Sequence, residues 1–320
     1  MSKGITGDKM LSHLDRVAGE RLPITADIFL TNYCNNRCPY CTYRRWSLEG
    51  GAYAMSLQDF QRYAVRLMRL GVKGFILTGG GEPTVAPDFL SIARWLESGG
   101  VRYGVNSNFN TLHLIRPDYL KVSLDGWDEE SYERARGVKA YLQTRKNVQT
   151  YAAWKKENSP VTSLGIQMVA TSVDAVRRFY EANRDLDVDY IVFRPKESTG
   201  GKGYGTPEAL AEALEIIQAV RFIQEADERV TLNFKWELLG RTFGRCSASW
   251  AQIAVNERGE VMYCCHKPYQ IVGHILDPDI LEKKEAAATD MSTCDVPCRM
   301  TAPNIFMDQV DASRPNSCFI

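Results

Sequence analysis

Three cysteines stand close together in the stretch Cys34-Asn-Asn-Arg-Cys38-Pro-Tyr-Cys41. They follow a short apolar run, Ala26-Asp-Ile-Phe-Leu30, which reads as a strand ending in a loop. Three thiolates on one loop can bind three irons of a 4Fe–4S cube. They cannot complete it, because such a cluster normally takes four. The fourth iron is then open to a substrate or cofactor, an arrangement for chemistry rather than for electron storage. Zinc and plain buried thiols are the alternatives. Zinc favours four ligands in spaced pairs, and no fourth Cys or His lies beside Cys34, Cys38 and Cys41.

A second set of thiols follows residue 230: Cys246, Cys264, Cys265, Cys294, Cys298 and Cys318. Residues 253–256 and 260–264 flank Glu257-Arg-Gly259 and read as a β-hairpin. Cys246, Cys264, Cys294 and Cys298 could close a second iron–sulfur site or a zinc site, with Cys318 as a substitute ligand. Neighbouring side chains on a strand point to opposite faces. If Cys264 binds iron, Cys265 therefore faces elsewhere. It either packs as an ordinary buried thiol or returns a hydrogen atom to a substrate radical, since an S–H bond is weaker than most C–H bonds. His266 and His274 are nearby candidate bases, with plain structural roles as the alternative.

The elements between the two sets must position them. Strand signals at 74–78, 102–106, 119–124, 164–171 and 190–194 alternate with helix signals at 56–70, 87–98, 128–136, 140–157, 173–183 and 207–228. With the strand before Cys34 this makes six strands, and their alternation with helices implies a parallel sheet with right-handed crossovers. Ligand sites in such folds lie at the carboxyl ends of the strands. The cysteine loop, Gly79-Gly80-Gly81-Glu82-Pro83, Asn106, Ser123 and Arg194 all end or follow strands, so they converge on one face. Residues 196–205 are Gly-rich and read as a lid over that face. Residues 10–18 read as one helix able to cover the bottom of a barrel.

The C-x3-C-x2-C spacing, with Tyr40 before the third cysteine, resembles the cluster loop of the radical S-adenosylmethionine (radical SAM) enzymes. Gly79-Gly80-Gly81-Glu82, one strand–helix–strand unit later, resembles the motif by which that family binds the amino group of S-adenosylmethionine. The resemblance covers residues 24–230 and implies a partial (β/α)6 TIM-like barrel. It implies that Cys34, Cys38 and Cys41 hold three irons and that the fourth chelates S-adenosylmethionine. One electron then gives a 5′-deoxyadenosyl radical that takes a hydrogen atom from the substrate. By the same resemblance Asn106, Ser107, Asn108, Ser123 and Asp125 contact the cofactor. Arg136 and Arg194 pair with its carboxylate, with a substrate anion, or with a neighbouring acid. The later cysteines, with Gly259-x4-Cys264, resemble a small C-terminal twitch domain, related to SPASM, that holds an auxiliary 4Fe–4S cluster. This divides the α/β chain into an extension at 1–23, the barrel at 24–230 and the cysteine-rich unit at 231–320.

The chain has 320 residues, 44% hydrophobic and 24% charged, with a formal net charge of zero. That balance does not suggest nucleic acid as a partner. No apolar run approaches the ~20 residues needed to cross a bilayer, and the N-terminus lacks a secretory signal. Nine cysteines in such a chain argue for metal work in a reducing cytoplasm. The expected substrate is a small polar metabolite of sugar, aminocyclitol or nucleoside type, epimerised or dehydrogenated with electrons from a flavodoxin or ferredoxin. Too few residues precede Cys34 for a leader-binding domain, so crosslinking or epimerisation of a ribosomal peptide is the second expectation. A non-catalytic iron–sulfur carrier or redox sensor is the third.

Overall fold

Seven parallel strands run in chain order: β1 (Thr25–Phe29), β2 (Gly74–Thr78), β3 (Tyr103–Ser107), β4 (Tyr119–Ser123), β5 (Ser163–Val169), β6 (Tyr190–Arg194) and β7 (Val230–Leu232). The computed structural model describes residues 8–41, 43, 51–196, 206–237, 239, 245–287, 294 and 298–312. Most of the expected lid and Cys318 lie outside these residues. Six of the strands match the sequence reading to within about two residues. The short β7 was not foreseen, because its three residues carry no periodic signal.

Helices pack on the outer face. They are α1 (Asp8–Leu11), α2 (Leu14–Ala18), α3 (Leu57–Arg69), α4 (Phe89–Ser98), α5 (Glu129–Arg136), α6 (Tyr141–Asn158), α7 (Val173–Asn183) and α8 (Pro207–Ala226). Their starts follow capping chemistry. Ser56, Ser172 and Thr206 each accept a hydrogen bond from the third helical N–H, and Asp128 forms a capping box with Ser131. In β2, β4 and β6 buried and half-buried residues alternate. Leu77, Val122 and Phe193 face the helices, and the intervening residues face the interior. The rings of Tyr119 and Tyr190 fill the interior beside two glycines. A Cβ at Gly104 would stand 2.0 Å from the Tyr119 ring, and one at Gly165 would stand 2.1 Å from the Tyr190 ring.

The C-terminal segment joins the same sheet. β8 (Gln252–Val255) pairs in parallel with β1, Thr25 lying opposite Gln252. The hairpin continues the sheet through β9 (Glu260–Met262) and β10 (Ile271–His274), giving the order β10-β9-β8-β1-β2-β3-β4-β5-β6-β7. The expected strand over 260–264 stops at Met262 because the chain turns there, with Lys267 N–H donating to the Cys264 carbonyl. α9 (Ile280–Ala286) and α10 (Thr301–Asp311) follow. The expected helix over residues 10–18 is broken between α1 and α2. Met10 and Val17 share a small core with Ala248, Ala251, Met300 and Met307, beside Ile24 just before β1. Among the described residues no helix is long and apolar enough to cross a membrane.

Candidate active site

The carboxyl ends of the strands open on a cavity of about 370 Å³. Cys34, Cys38 and Cys41 line it from the loop after β1, and Gly79 to Glu82 line it from the loop after β2. The two loops are fastened together. Gly81 N–H donates to the Thr31 carbonyl at 2.9 Å, and Glu82 N–H to the Tyr33 carbonyl at 2.8 Å. A Cβ on Gly81 would fall 1.9 Å from the Tyr33 carbonyl oxygen, so only glycine allows this approach.

The three thiols act on one another electrostatically. Burial pushes Cys34 up to about 12, and the charges of Glu82, Cys38 and Cys41 add to the rise. Burial also raises Cys38, against the nearby Arg136 guanidinium. Crowded thiolates of this kind need a cation to hold them, and thiolate donors suit iron–sulfur clusters. Among the described residues no three His, Cys, Asp or Glu side chains gather tightly enough for a single metal ion. Three thiolates from one loop match what a cube with an open iron takes, whereas zinc favours four ligands.

Glu82 is only 4% exposed. Its Oε1 accepts from Ser107 Oγ at 2.6 Å, Thr84 Oγ1 at 2.7 Å and Thr84 N at 3.1 Å. Its Oε2 accepts from Asn108 N at 2.7 Å. Burial raises its pKa, and these four hydrogen bonds oppose the rise. A carboxylate offers about four acceptor sites, so an ammonium here must share oxygens already engaged. Ser107 and Asn108, expected to touch the cofactor, also work within the wall. The Asn108 side chain donates to Asn35 of the cysteine loop at 2.6 Å.

Asp125 is the one expected cofactor contact that does not line this cavity; with Tyr40 it borders the neighbouring one. It forms a buried ion pair with Arg136 and accepts from Tyr40 OH at 3.0 Å and Val169 N–H at 2.6 Å. Arg136 also reaches Cys38 Sγ at 3.5 Å and the Ser123 carbonyl at 2.9 Å. Burial opposes its charge, but Asp125, Tyr40 and Cys38 outweigh that effect and raise its pKa. Of the alternatives for Arg136, the structure shows the acid pair. Asn106, Ser123 and Arg194 line the cavity as expected.

The other cysteines lie near one another. Burial lifts Cys264 to about 12, and the charges of Cys298, Cys246 and Cys294 contribute, so these four thiols form one group. Asn304 Nδ2 donates to Cys246 Sγ at 3.4 Å, and Met300 N–H donates to Cys298 Sγ at 3.3 Å. Cys265, 7% exposed, turns the other way and lines the main cavity. His266 lines it too, whereas His274 packs edge-to-face on Tyr63 with ring centres 5.5 Å apart.

Sequence reading missed the residues around Cys265. Arg299 pairs with buried Asp27 and donates to Cys265 Sγ at 3.1 Å. Gln252 also donates to Asp27, and Tyr43 OH donates to the Cys265 carbonyl. Burial raises the Asp27 carboxyl against the Arg299 charge, and raises the Cys265 thiol likewise. Lys121 and Lys235 line the same space. Charged residues at inward positions of apolar strands, Asp27 in β1 and Lys121 in β4, were the available signal.

Residues 28–169 match the radical SAM superfamily. The probable GTP 3′,8-cyclase of Pyrococcus horikoshii is 31% identical over 128 residues, covering 38% of this chain and 40% of that protein. The PqqA peptide cyclase of Methylorubrum extorquens is 24% identical over 257 residues, covering 73% of this chain and 64% of the relative. The chain thus spans less than two thirds of the length of these relatives. Streptococcus suis SuiB bound to its precursor peptide SuiA superposes with a TM-score of 0.61 at 16% identity, covering 81% of this chain and 63% of that one. The anSMEcpe structure with bound AdoMet superposes with a TM-score of 0.58 at 17% identity, covering 82% of each chain. These two structures share the fold: a parallel α/β sheet of the partial-barrel type. With its three-cysteine loop bolted to a Gly-Gly-Gly-Glu loop at the mouth of that sheet, the stretch 28–169 matches the radical SAM superfamily, whose members use a 4Fe–4S cluster and S-adenosylmethionine.

Proposed function

We propose that this enzyme epimerises a carbon of a small polar metabolite of sugar, aminocyclitol or nucleoside type, with the Cys265 thiol as hydrogen-atom donor. One observation carries the reading: Cys265 lines the same cavity as Cys34, Cys38 and Cys41, while its neighbour Cys264 belongs to the second thiol group. When bound, the cluster and S-adenosylmethionine supply a 5′-deoxyadenosyl radical that removes one hydrogen atom from the substrate. The Cys265 S–H bond then breaks as a new C–H bond forms, leaving a thiyl radical. One electron from a flavodoxin- or ferredoxin-type donor and one proton restore the thiol. Arg299 and Tyr43 orient Cys265 by bonding its sulfur and its carbonyl. Cys34, Cys38 and Cys41 hold the first cluster; Cys246, Cys264, Cys294 and Cys298 hold an auxiliary one. Asn106, Ser123 and the Gly79–Gly81 loop bind the cofactor.

A peptide substrate is the second reading, favoured by the alignment of a PqqA peptide cyclase over 73% of this chain. The test is anaerobic reconstitution of wild type beside a Cys34/Cys38/Cys41→Ala variant. Two cubes predict about eight irons in the first and about four in the second, with 5′-deoxyadenosine formed only by the first. Turnover in deuterated water should place one deuterium on the inverted carbon. Cys265→Ala should still form 5′-deoxyadenosine and yield no epimer. Normal epimerisation by Cys265→Ala would refute the donor role.

A further inference from the structure

We infer that the Lys284 ammonium is the counter-charge of the second cluster and raises its reduction potential. This rests on the reading of Cys246, Cys264, Cys294 and Cys298 as that cluster's ligands. Lys284 stands in the last turn of α9 and is only 5% exposed. Its Nζ donates to the Ser249 carbonyl at 2.8 Å and lies 5.5 Å from the centre of the Tyr263 ring. Both neighbours place it at the thiols. Ser249 N–H donates to the Cys246 carbonyl at 3.3 Å, and Tyr263 immediately precedes Cys264. Cys246, Ser249, Tyr263 and Lys284 line one cavity of about 890 Å³, separate from the one that Cys34 lines.

Among the described residues no carboxylate pairs with Lys284, whereas its neighbour Lys283 takes both Asp277 and Asp279. A buried ammonium is costly unless an anion offsets it. Burial pulls Lys284 down to about 8, and the charges of Cys264, Cys246 and Cys265 oppose that fall. Thiolates are therefore the anions within its reach. Other groups at the site point the same way. Asn304 Nδ2 donates to Cys246 Sγ, and Met300 N–H donates to Cys298 Sγ. Trp250 packs in one small core with Cys246 and Cys298, and its buried Nε1–H has no partner. Four thiolates around a cube leave the centre net negative, and one added electron makes it more so. A buried cation and hydrogen bonds to the sulfurs favour that added electron, because charges act strongly on one another away from water. Lys284 thereby sets how readily the second site takes an electron.

The test is a dithionite titration of the reconstituted full chain, followed by electron paramagnetic resonance in the Cys34/Cys38/Cys41→Ala background, where only the second cluster remains. Lys284→Met should lower the midpoint potential by about 59 mV or more, a tenfold loss in the one-electron equilibrium. Lys284→Arg keeps the charge and should recover most of that loss. Lys283→Met, one residue away and exposed, should match the background chain. Iron content and circular dichroism, with and without iron, accompany each variant. Loss of the remaining iron from Lys284→Met, with retention in Lys284→Arg, also supports the counter-charge. The inference is overturned by an unchanged potential in Lys284→Met, by equal losses of potential or of iron in Lys284→Met and Lys284→Arg, or by a Lys284→Met chain that is unfolded even without iron. A background chain that binds zinc or no metal sinks the cluster reading and this inference with it. An intact second cluster whose potential ignores Lys284 sinks this inference alone.

Discussion

Removing the Arg299 side chain should expose how strongly the Cys265 wall is built. Arg299 is the counter-charge of Asp27, which is 1% exposed. Arg299→Met leaves that carboxylate buried and uncompensated, and breaking a buried pair from one side costs about 3–5 kcal/mol. Asp27 can relieve part of this by taking a proton, since burial already raises its carboxyl, so the lower end, about 3 kcal/mol, is expected. At about 2 °C per kcal/mol for a chain of this size, melting should fall by about 6 °C. The double variant Asp27→Asn/Arg299→Met removes both charges and should recover most of the loss. The pH dependence has a definite sign. In Arg299→Met the folded-state pKa of Asp27 lies above its unfolded value of about 3.9, so the folded state binds more protons. Stability then falls as pH rises through the folded pKa, and the penalty should shrink at acidic pH. Thermal melts followed by circular dichroism at several pH values check this. A single variant melting within about 1 °C of wild type, or a double variant as unstable as the two singles summed, would refute the pairing as described.

Gly81→Ala must displace the Tyr33 backbone; we expect loss of S-adenosylmethionine binding by calorimetry and reduced iron, whereas wild-type binding would disprove the close approach. Glu82→Gln sets an amide donor against the Ser107, Thr84 and Asn108 donors and should cost about 1–3 kcal/mol in denaturant unfolding. Gly165→Ala drives a methyl into the Tyr190 ring and should cost about 1–3 kcal/mol by overpacking; Gly165→Ala with Tyr190→Ala should relieve the clash. Asp227 accepts hydrogen bonds from Arg229, which hold its carboxyl below the usual range. Its contribution is therefore present above the unfolded pKa and lost as pH falls through the folded one. Asp227→Asn should cost about 1–2 kcal/mol at neutral pH, and the cost should shrink as pH falls below the ordinary carboxyl range.

The residues that make the site recognisable were legible because they are local. Cys34, Cys38, Cys41 and the glycine run declare themselves by spacing, and strand periodicity carried them to one face. The divergence of Cys264 and Cys265 was also legible, although the structure achieves it in a turn after Met262 rather than along a strand. Pairing across the fold was not legible. Nothing in Gln252–Val255 announces a parallel register with Thr25–Ile28, because a short apolar strand pairs equally well with many partners. The saturation of Glu82, the capture of Arg136 by Asp125 and the triad of Asp27, Arg299 and Cys265 each join residues far apart in the chain. Local propensity does not see such contacts.

The parallel contact between β8 and β1 has a consequence for synthesis. By the time residue 232 has left the ribosome, the seven strands β1–β7 can already be paired, and β1 is the outer strand of that partial sheet. It is a strand of buried residues, Ala26, Ile28 and Phe29 among them, with one row of N–H and C=O groups still unmatched. Such an edge is a template for pairing with another chain. It stays open until Gln252–Val255 arrives and covers it. The cysteine-bearing C-terminal segment thus acts as the nascent chain's own safeguard against aggregation. A chain cut between β7 and β8 would retain the whole three-cysteine loop, yet present its supporting strand to the nearest copy of itself.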